Sequence, residues 1–228
     1  MSIDVSLWQS PPASPLIEAG DLHLWRFRTD ISAQTADTLL KSLSADECAR
    51  AGRFFRRLHQ IKFIAARYGL RRILAGYMQC SPASIVFDYS QQGKPFLGKQ
   101  QRSNINFNLS HSGDWAIVAV TAEPDVGVDI EEVVIKDNVQ QLGDYAFDET
   151  ENRQFAEFSP VRRQRGFYRL WTAKEARLKM LGVGLGGMKG VVLPRFMGFF
   201  VPAKGYVAAV AVDDHILRVV RYHDMMTY

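Results

Sequence analysis

At 228 residues, with 47% hydrophobic side chains, the chain can bury one large core or two smaller ones. No stretch approaches the roughly 20 apolar residues that span a bilayer. Pro11, Pro12 and Pro15 interrupt the N-terminal segment before a signal-peptide core, so neither a membrane partner nor export is expected. Cys48 and Cys80 lack metal-ligand spacing, which suits a reduced, cytoplasmic setting. The net charge of +4 hides an asymmetry. Between Glu47 and Asp88 there is no acid, while Arg50, Arg53, Arg56, Arg57, Lys62, Arg67, Arg71 and Arg72 supply eight cations, leaving the rest of the chain four charges negative. Such a field attracts nucleic acid, nucleotide phosphates or an acidic protein, unless it is the solvated face of a helix.

Taken in order, Leu22 to Phe27 alternates as a half-buried strand does. Thr29 to Leu43 reads as a loop and short helix, and Ser44 with Glu47 forms a capping-box signature. A long helix is expected next, with Phe54, Leu58, Ile61, Ala65 and Tyr68 as its apolar stripe and the arginines on its flanks, their heads in water. Ser81 to Ser84 closes it, a short strand follows at 85–89, and Gln91 to Pro95 is a turn. Residues 106–112 and 115–120 form a hairpin with Ser110, His111 and Ser112 at its tip.

The next strand, 126–131, is followed by helix and loop over 137–158, with Tyr145, Phe147, Phe155 and Phe158 as apolar anchors. Arg162 to Leu181 is helical and ends at Gly182, Gly184, Gly186 and Gly187. Strands are expected at 190–193, 197–201, 205–212 and 216–222. The fold class is therefore α+β, in two similar halves: an N-terminal half over 1–123 and a C-terminal half over 124–228.

Chemistry concentrates at Val126 to Glu131 and Trp171 to Lys179. On an extended strand Asp129 and Glu131 project to one face, opposite Val128 and Ile130. On a helix Glu175 and Lys179 lie one turn apart. If the two faces meet, three carboxylates and an ammonium converge, a set suited to Mg²⁺ and a phosphorylated ligand. Taken singly, each stretch is equally a strand edge or a salt-bridged helix face.

Four segments in order, Gly93-Lys94-Pro95, Phe107 to Ser112, Gly127 to Glu131 and Trp171 to Lys179, resemble the successive motifs of the Sfp-type 4′-phosphopantetheinyl transferases. The resemblance implies two pseudo-symmetric α/β halves in one monomer, with coenzyme A and Mg²⁺ in the cleft between them. It implies Asp129, Glu131 and Glu175 as metal ligands, while the chemistry of phosphoryl transfer makes Glu175, directly or through a metal-held water, the base and Lys179 the group that donates to the leaving phosphate. Coenzyme A would be held by Arg50, Arg53, Lys62, Lys94, Pro95, Ser110, His111, Lys174 and Lys179. Glu47 stands where relatives often carry a lysine, a departure at the nucleotide edge. The implied reaction is Mg²⁺-dependent transfer of 4′-phosphopantetheine from coenzyme A to a serine of an acyl, peptidyl or polyketide carrier protein, releasing adenosine 3′,5′-bisphosphate. Two alternatives use part of the same evidence. A metal-dependent phosphohydrolase would share the carboxylates, and a nucleic-acid-binding module would use the basic stretch but leave the carboxylates unexplained. Residues 139–168, which interleave aromatics with Arg153, Arg162, Arg163 and Arg165, are the expected docking segment for an acidic carrier.

Overall fold

The computed structural model describes residues 8–183 and 194–224. Its elements are β1 (Asp21–Arg28), α1 (Ala33–Leu40), α2 (Ala45–Ala51), α3 (Arg57–Met78), β2 (Phe87–Tyr89), β3 (Pro95–Leu97), β4 (Ile105–Ser112), β5 (Trp115–Ala122), β6 (Val126–Glu132), α4 (Val139–Ala146), α5 (Glu149–Ala156), α6 (Pro160–Leu181), β7 (Phe196–Phe200), β8 (Tyr206–Val212) and β9 (Arg218–His223). One sheet has the order β4-β5-β1-β9, a second β6-β8-β7, and β2-β3 is a small hairpin. The class is α+β with two sheet-and-helix halves. β9, from the C-terminal part of the chain, joins the first sheet by parallel pairing with β1. Among the described residues no helix is long and apolar enough to cross a membrane.

The two large sheets share one core. Leu22 and Leu24 of β1 and Ile117 of β5 pack against Val128 and Ile130 of β6 and Val210 of β8. The opposite face of β1, carrying Trp25 and Phe27, packs on Leu70, Ile73 and Leu74 of α3. The half-buried reading of β1 is thereby corrected: alternation there separates two apolar environments, not core from water.

The single long helix expected after Ser44 is two. α2 stops at Ala51, with Gly52 as its C-cap, and α3 starts after the extended Arg56. Phe54 and Leu58, expected in the stripe, are exposed, and Phe55 is fully so. Ile61 and Ala65 of the expected stripe are buried, and Ile64 and Leu70 extend that buried face. The arginines are not all wet either. Arg67 and Arg71 are buried and donate their Nε–H groups to the two oxygens of Glu47, at 2.6 and 2.7 Å. Glu47, itself buried, also accepts from the Ser44 backbone N–H at 3.0 Å, as the capping box requires. Removing its carboxylate would strand two buried guanidinium groups, a loss of roughly 3–5 kcal/mol.

Gly182, at φ +66°, ends α6. Gly184, Gly186 and Gly187 and the strand expected at 190–193 lie outside the described residues. The strands expected at 197–201, 205–212 and 216–222 correspond to β7, β8 and β9.

One buried polar group far from the acidic strand contributes to acid stability. Tyr77 Oη accepts from the Trp25 indole at 2.9 Å and shares a 2.7 Å hydrogen bond with His23 Nδ1. His23 Nε2 is buried with no hydrogen-bond partner. Burial pushes the His23 imidazole down to about 4 against the opposing effect of Asp21, with Arg218 adding to the decrease. Between that value and the ordinary 6.5 the unfolded chain binds the proton and the folded chain does not. Stability should therefore fall with acidification through this window, by up to about 1.4 kcal/mol per pH unit from this group. Urea titrations at pH 4.5, 5.5 and 6.5 should show a shallower pH slope for His23→Gln than for the wild type. Equal slopes would remove His23 as the cause.

Candidate active site

β4 and β6 run side by side as the edges of different sheets, and side chains rather than backbone ladders join them. Asn108 Oδ1 accepts the Val128 N–H at 3.0 Å, Ser110 Oγ donates to Asp129 Oδ1 at 2.9 Å, and Ser112 Oγ donates to Glu131 Oε2 at 2.9 Å. The two-residue repeat of a strand sets this spacing: every second residue of β4 faces the acidic strand. Ser112 Oγ also accepts the Glu132 N–H at 3.1 Å.

α6 supplies the third side. Gly127 lets its backbone approach closely: a Cβ there would lie 2.0 Å from the Ala176 carbonyl oxygen and 2.2 Å from the Met180 nitrogen. At that separation Lys179 Nζ reaches Asp129 Oδ1 at 2.5 Å and Ser110 Oγ at 3.1 Å. Asp129 is 3% exposed, and its second oxygen, Oδ2, is buried with no hydrogen-bond partner. Burial raises its carboxyl pKa despite the opposing pull of Lys179 and Ser110. Burial and then Asp129 raise Glu131, with Ser112 and the Trp171 side chain hydrogen-bonding in the other direction. Glu175 is raised by burial first and also by Asp129, against Lys179 and Lys174. Three carboxyls thus resist ionisation around one orphaned oxygen, which is the electrostatic condition a hard cation relieves. Among the described residues no three acidic, histidine or cysteine side chains stand close enough together to hold a metal ion as they are, and Lys179 occupies Oδ1 of Asp129. The donor set fits Mg²⁺, which takes few carboxylates and fills its remaining positions with phosphate oxygens and water.

A basic basin adjoins the carboxylates. His111 has a lowered imidazole pKa, through partial burial of the ring and then Lys179, Lys62 and Arg50. Cations from α2, α3 and α6 therefore act on this one histidine. Lys62 also anchors the hairpin tip, donating to the Gly113 carbonyl at 2.7 Å and to Asp114 Oδ1 at 3.0 Å. Gly113 turns at φ +53°, and a Cβ on it would fall 2.2 Å from Tyr206 Oη, so only glycine lets the tip rest on β8. Arg50 and Arg53, with Asp46, Ala49 and Phe54, line a cavity of 680 Å³.

The structure thus brings together Asp129, Glu131, Glu175, Lys179, Ser110, His111, Lys62 and Arg50. Arg53 extends the basin. Lys94 stands elsewhere: its Nζ donates to the Met180 carbonyl at 2.9 Å and the Val126 carbonyl at 3.3 Å, holding the C-terminal end of α6, and burial lowers its pKa. Pro95 pairs with Tyr89 in the small hairpin. Lys174 requires a correction. Expected on coenzyme A, it is 5% exposed and donates instead to Glu151 Oε2 at 2.8 Å and the Ala146 carbonyl at 2.6 Å. Its ammonium is spent tying α4 and α5 to α6.

Glu151 is the residue that sequence reasoning missed. It pairs with both Lys174 and Arg177, and its own helix end is a capping box with Asp148, whose Oδ1 accepts the Glu151 N–H at 2.8 Å. The Asp148-x-x-Glu151 spacing is a readable signature. Of the four aromatic anchors, Phe147 and Phe155 are core, Phe158 is half-buried and Tyr145 is 87% exposed. Tyr145, Ser112, Glu131, Phe167 and Trp171 share the lining of a 410 Å³ cavity, in which Trp171 stacks on Phe167.

Comparisons with known proteins agree with this arrangement. Residues 125–200 match the model of the 4′-phosphopantetheinyl transferase superfamily, and residues 30–123 match that of the 4′-phosphopantetheinyl transferase N-terminal region. The chain is 35% identical over 185 residues to the 4′-phosphopantetheinyl transferase HetI of Nostoc sp., covering 81% of this chain and 78% of that one. A putative 4′-phosphopantetheinyl transferase of Synechocystis sp. is 36% identical over 152 residues, 67% of this chain and 62% of that one. A 4′-phosphopantetheinyl transferase of Bacillus subtilis is 29% identical over 155 residues, 68% and 67% of the two chains. With the acidic strand, the lysine-bearing helix and both matched regions in one fold, the chain belongs to the 4′-phosphopantetheinyl transferase superfamily and is a transferase.

Proposed function

We propose that this protein moves the 4′-phosphopantetheine group of coenzyme A onto a serine hydroxyl of an acyl, peptidyl or polyketide carrier protein, with Mg²⁺, releasing adenosine 3′,5′-bisphosphate. The observation that carries the proposal is the buried Asp129 carboxylate, one oxygen orphaned and the other on Lys179, at the edge of a basin formed by Arg50, Lys62 and His111. Asp129, Glu131 and Glu175 would hold Mg²⁺, which when bound supplies positive charge beside the phosphate oxygens. Arg50, Lys62 and His111 bind and orient the phosphates of coenzyme A. Lys179, whose side chain is 30% exposed, exchanges its bond to Asp129 for an oxygen of the pyrophosphate. The serine oxygen forms a bond to the β-phosphorus, the bond from that phosphorus to the bridging oxygen breaks, and the leaving adenosine bisphosphate keeps the electron pair. In this reading Glu175, its pKa raised by burial, takes the serine proton, directly or through a water held by the metal. Lys179 stabilises charge on the departing phosphate. The exposed Tyr145 beside the Glu131 cavity gives the serine-bearing segment an apolar place to rest. We propose that a single copy of the chain suffices, since every one of these residues belongs to it.

Mass spectrometry tests the reading directly. An apo carrier protein incubated with the enzyme, coenzyme A and Mg²⁺ should gain one phosphopantetheine. Cleavage of coenzyme A with no gain on the carrier would point to a phosphohydrolase instead.

A further inference from the structure

A second groove lies on the flank of α6 away from Trp171. It has a volume of 470 Å³, and Phe158, Phe199 and Phe200 line it together with Arg162, Arg165 and Arg169. The three arginines follow one another at intervals of three and four residues, so they form a row about 10 Å long on one helix face. All three are exposed, and none has a carboxylate partner among the described residues. α6 has no acidic residue in its first turn, and Arg162 stands there, where the backbone dipole disfavours a cation. The Arg169 guanidinium lies over the Phe199 ring at 4.3 Å, within cation–π range.

From this row of cations beside an aromatic floor, we infer that the groove receives an acidic amphipathic helix of the carrier protein, a contact separate from the one that presents the serine. The inference rests on the transferase reading above. An amphipathic helix lays its apolar stripe on such a floor, and carboxylates spaced three and four residues apart along its edge match the spacing of the arginines. Only the width of α6, about 10–12 Å with its side chains, separates this groove from the cavity at Glu131. A small helical domain can therefore straddle the helix, one segment at the carboxylates and another in the groove. Docking divides across α6, where the sequence suggested one continuous segment over 139–168.

The test uses the double variant Arg165→Glu/Arg169→Glu with a recombinant acidic acyl carrier protein as the probe. The carrier's KM should rise about tenfold or more, and the fall of kcat/KM with added salt should become shallower. The KM for coenzyme A and the turnover at saturating carrier should not change. Arg165→Gln alone should give a smaller change of the same sign, which serves as the readout if the double variant folds poorly. An unchanged carrier KM and salt slope would overturn the groove assignment while leaving the transferase reading intact. If the wild type modifies no carrier, the transferase reading itself fails, and this inference with it. Tighter binding of a duplex DNA oligonucleotide than of the carrier, lost in the double variant, would assign the groove to nucleic acid and overturn the inference too.

Discussion

Asp129→Asn is expected to reduce phosphopantetheine transfer by at least about a thousandfold, because it removes the one fully buried carboxylate of the site. The same change should leave the fold intact and raise its stability at neutral pH. The sign follows from the direction of the shift. A carboxyl whose pKa is raised in the folded state favours folding in its protonated form, so its ionised form opposes folding at every pH above the ordinary value of 3.8. Asparagine keeps an acceptor for Ser110 and carries no charge to desolvate. Thermal melts of the metal-free proteins should therefore place the variant above the wild type at pH 7, with the gap closing toward pH 4. Added Mg²⁺ should raise the melting temperature of the wild type and not that of the variant. Near-normal turnover of the variant at saturating Mg²⁺ would remove Asp129 from the chemistry.

Gly127→Ala should be the most damaging single methyl in the described structure for both stability and activity. Its Cβ would meet the Ala176 carbonyl oxygen at 2.0 Å and the Met180 nitrogen at 2.2 Å. These are helix backbone atoms, so no rotamer change relieves the clash and α6 as a whole must lift from β6. Overpacking of this kind costs about 3 kcal/mol or more. Because α6 carries Glu175 and Lys179, the shift also draws both away from Asp129. Urea unfolding and turnover should fall together. A stability change under about 1 kcal/mol would mean that helix and strand are not in contact there.

Some of this site was legible in the sequence because its geometry is local. The alternation of Asn106 to Ser112 and of Val126 to Glu131 needs only the strand period, and the strands that formed carry those faces as expected. Helix phase was equally available: Glu175 and Lys179 share a face, whereas Lys174 points about 100° away from Glu175, toward Glu151. The remainder depended on distant partners. Nothing near Glu47 in the chain announces that Arg67 and Arg71 will close on it, yet that contact buries two arginines of the basic stretch and withdraws them from any ligand. The choice between Tyr145 as surface and Phe155 as core likewise waits on where α6 passes. β1 was misread because alternation looks the same whether the second face meets water or α3.

The parallel pairing of β9 with β1 has a consequence for how the enzyme can move. Arg218 is tied to Asp21 across 197 residues of chain, and the strand ladder continues from that pair to Arg26 and His223. A clamshell opening of the two halves would have to shear that ladder and split the apolar layer beneath it. The shared ladder and core thus disfavour a hinge between the halves, and under the proposed function, room for coenzyme A would come from side chains such as Lys179 swinging aside. The ladder also bears on the order of assembly: the sheet that presents Ser110 and His111 stays open along the β1 edge until β9, about 190 residues further along the chain, is available to pair with it.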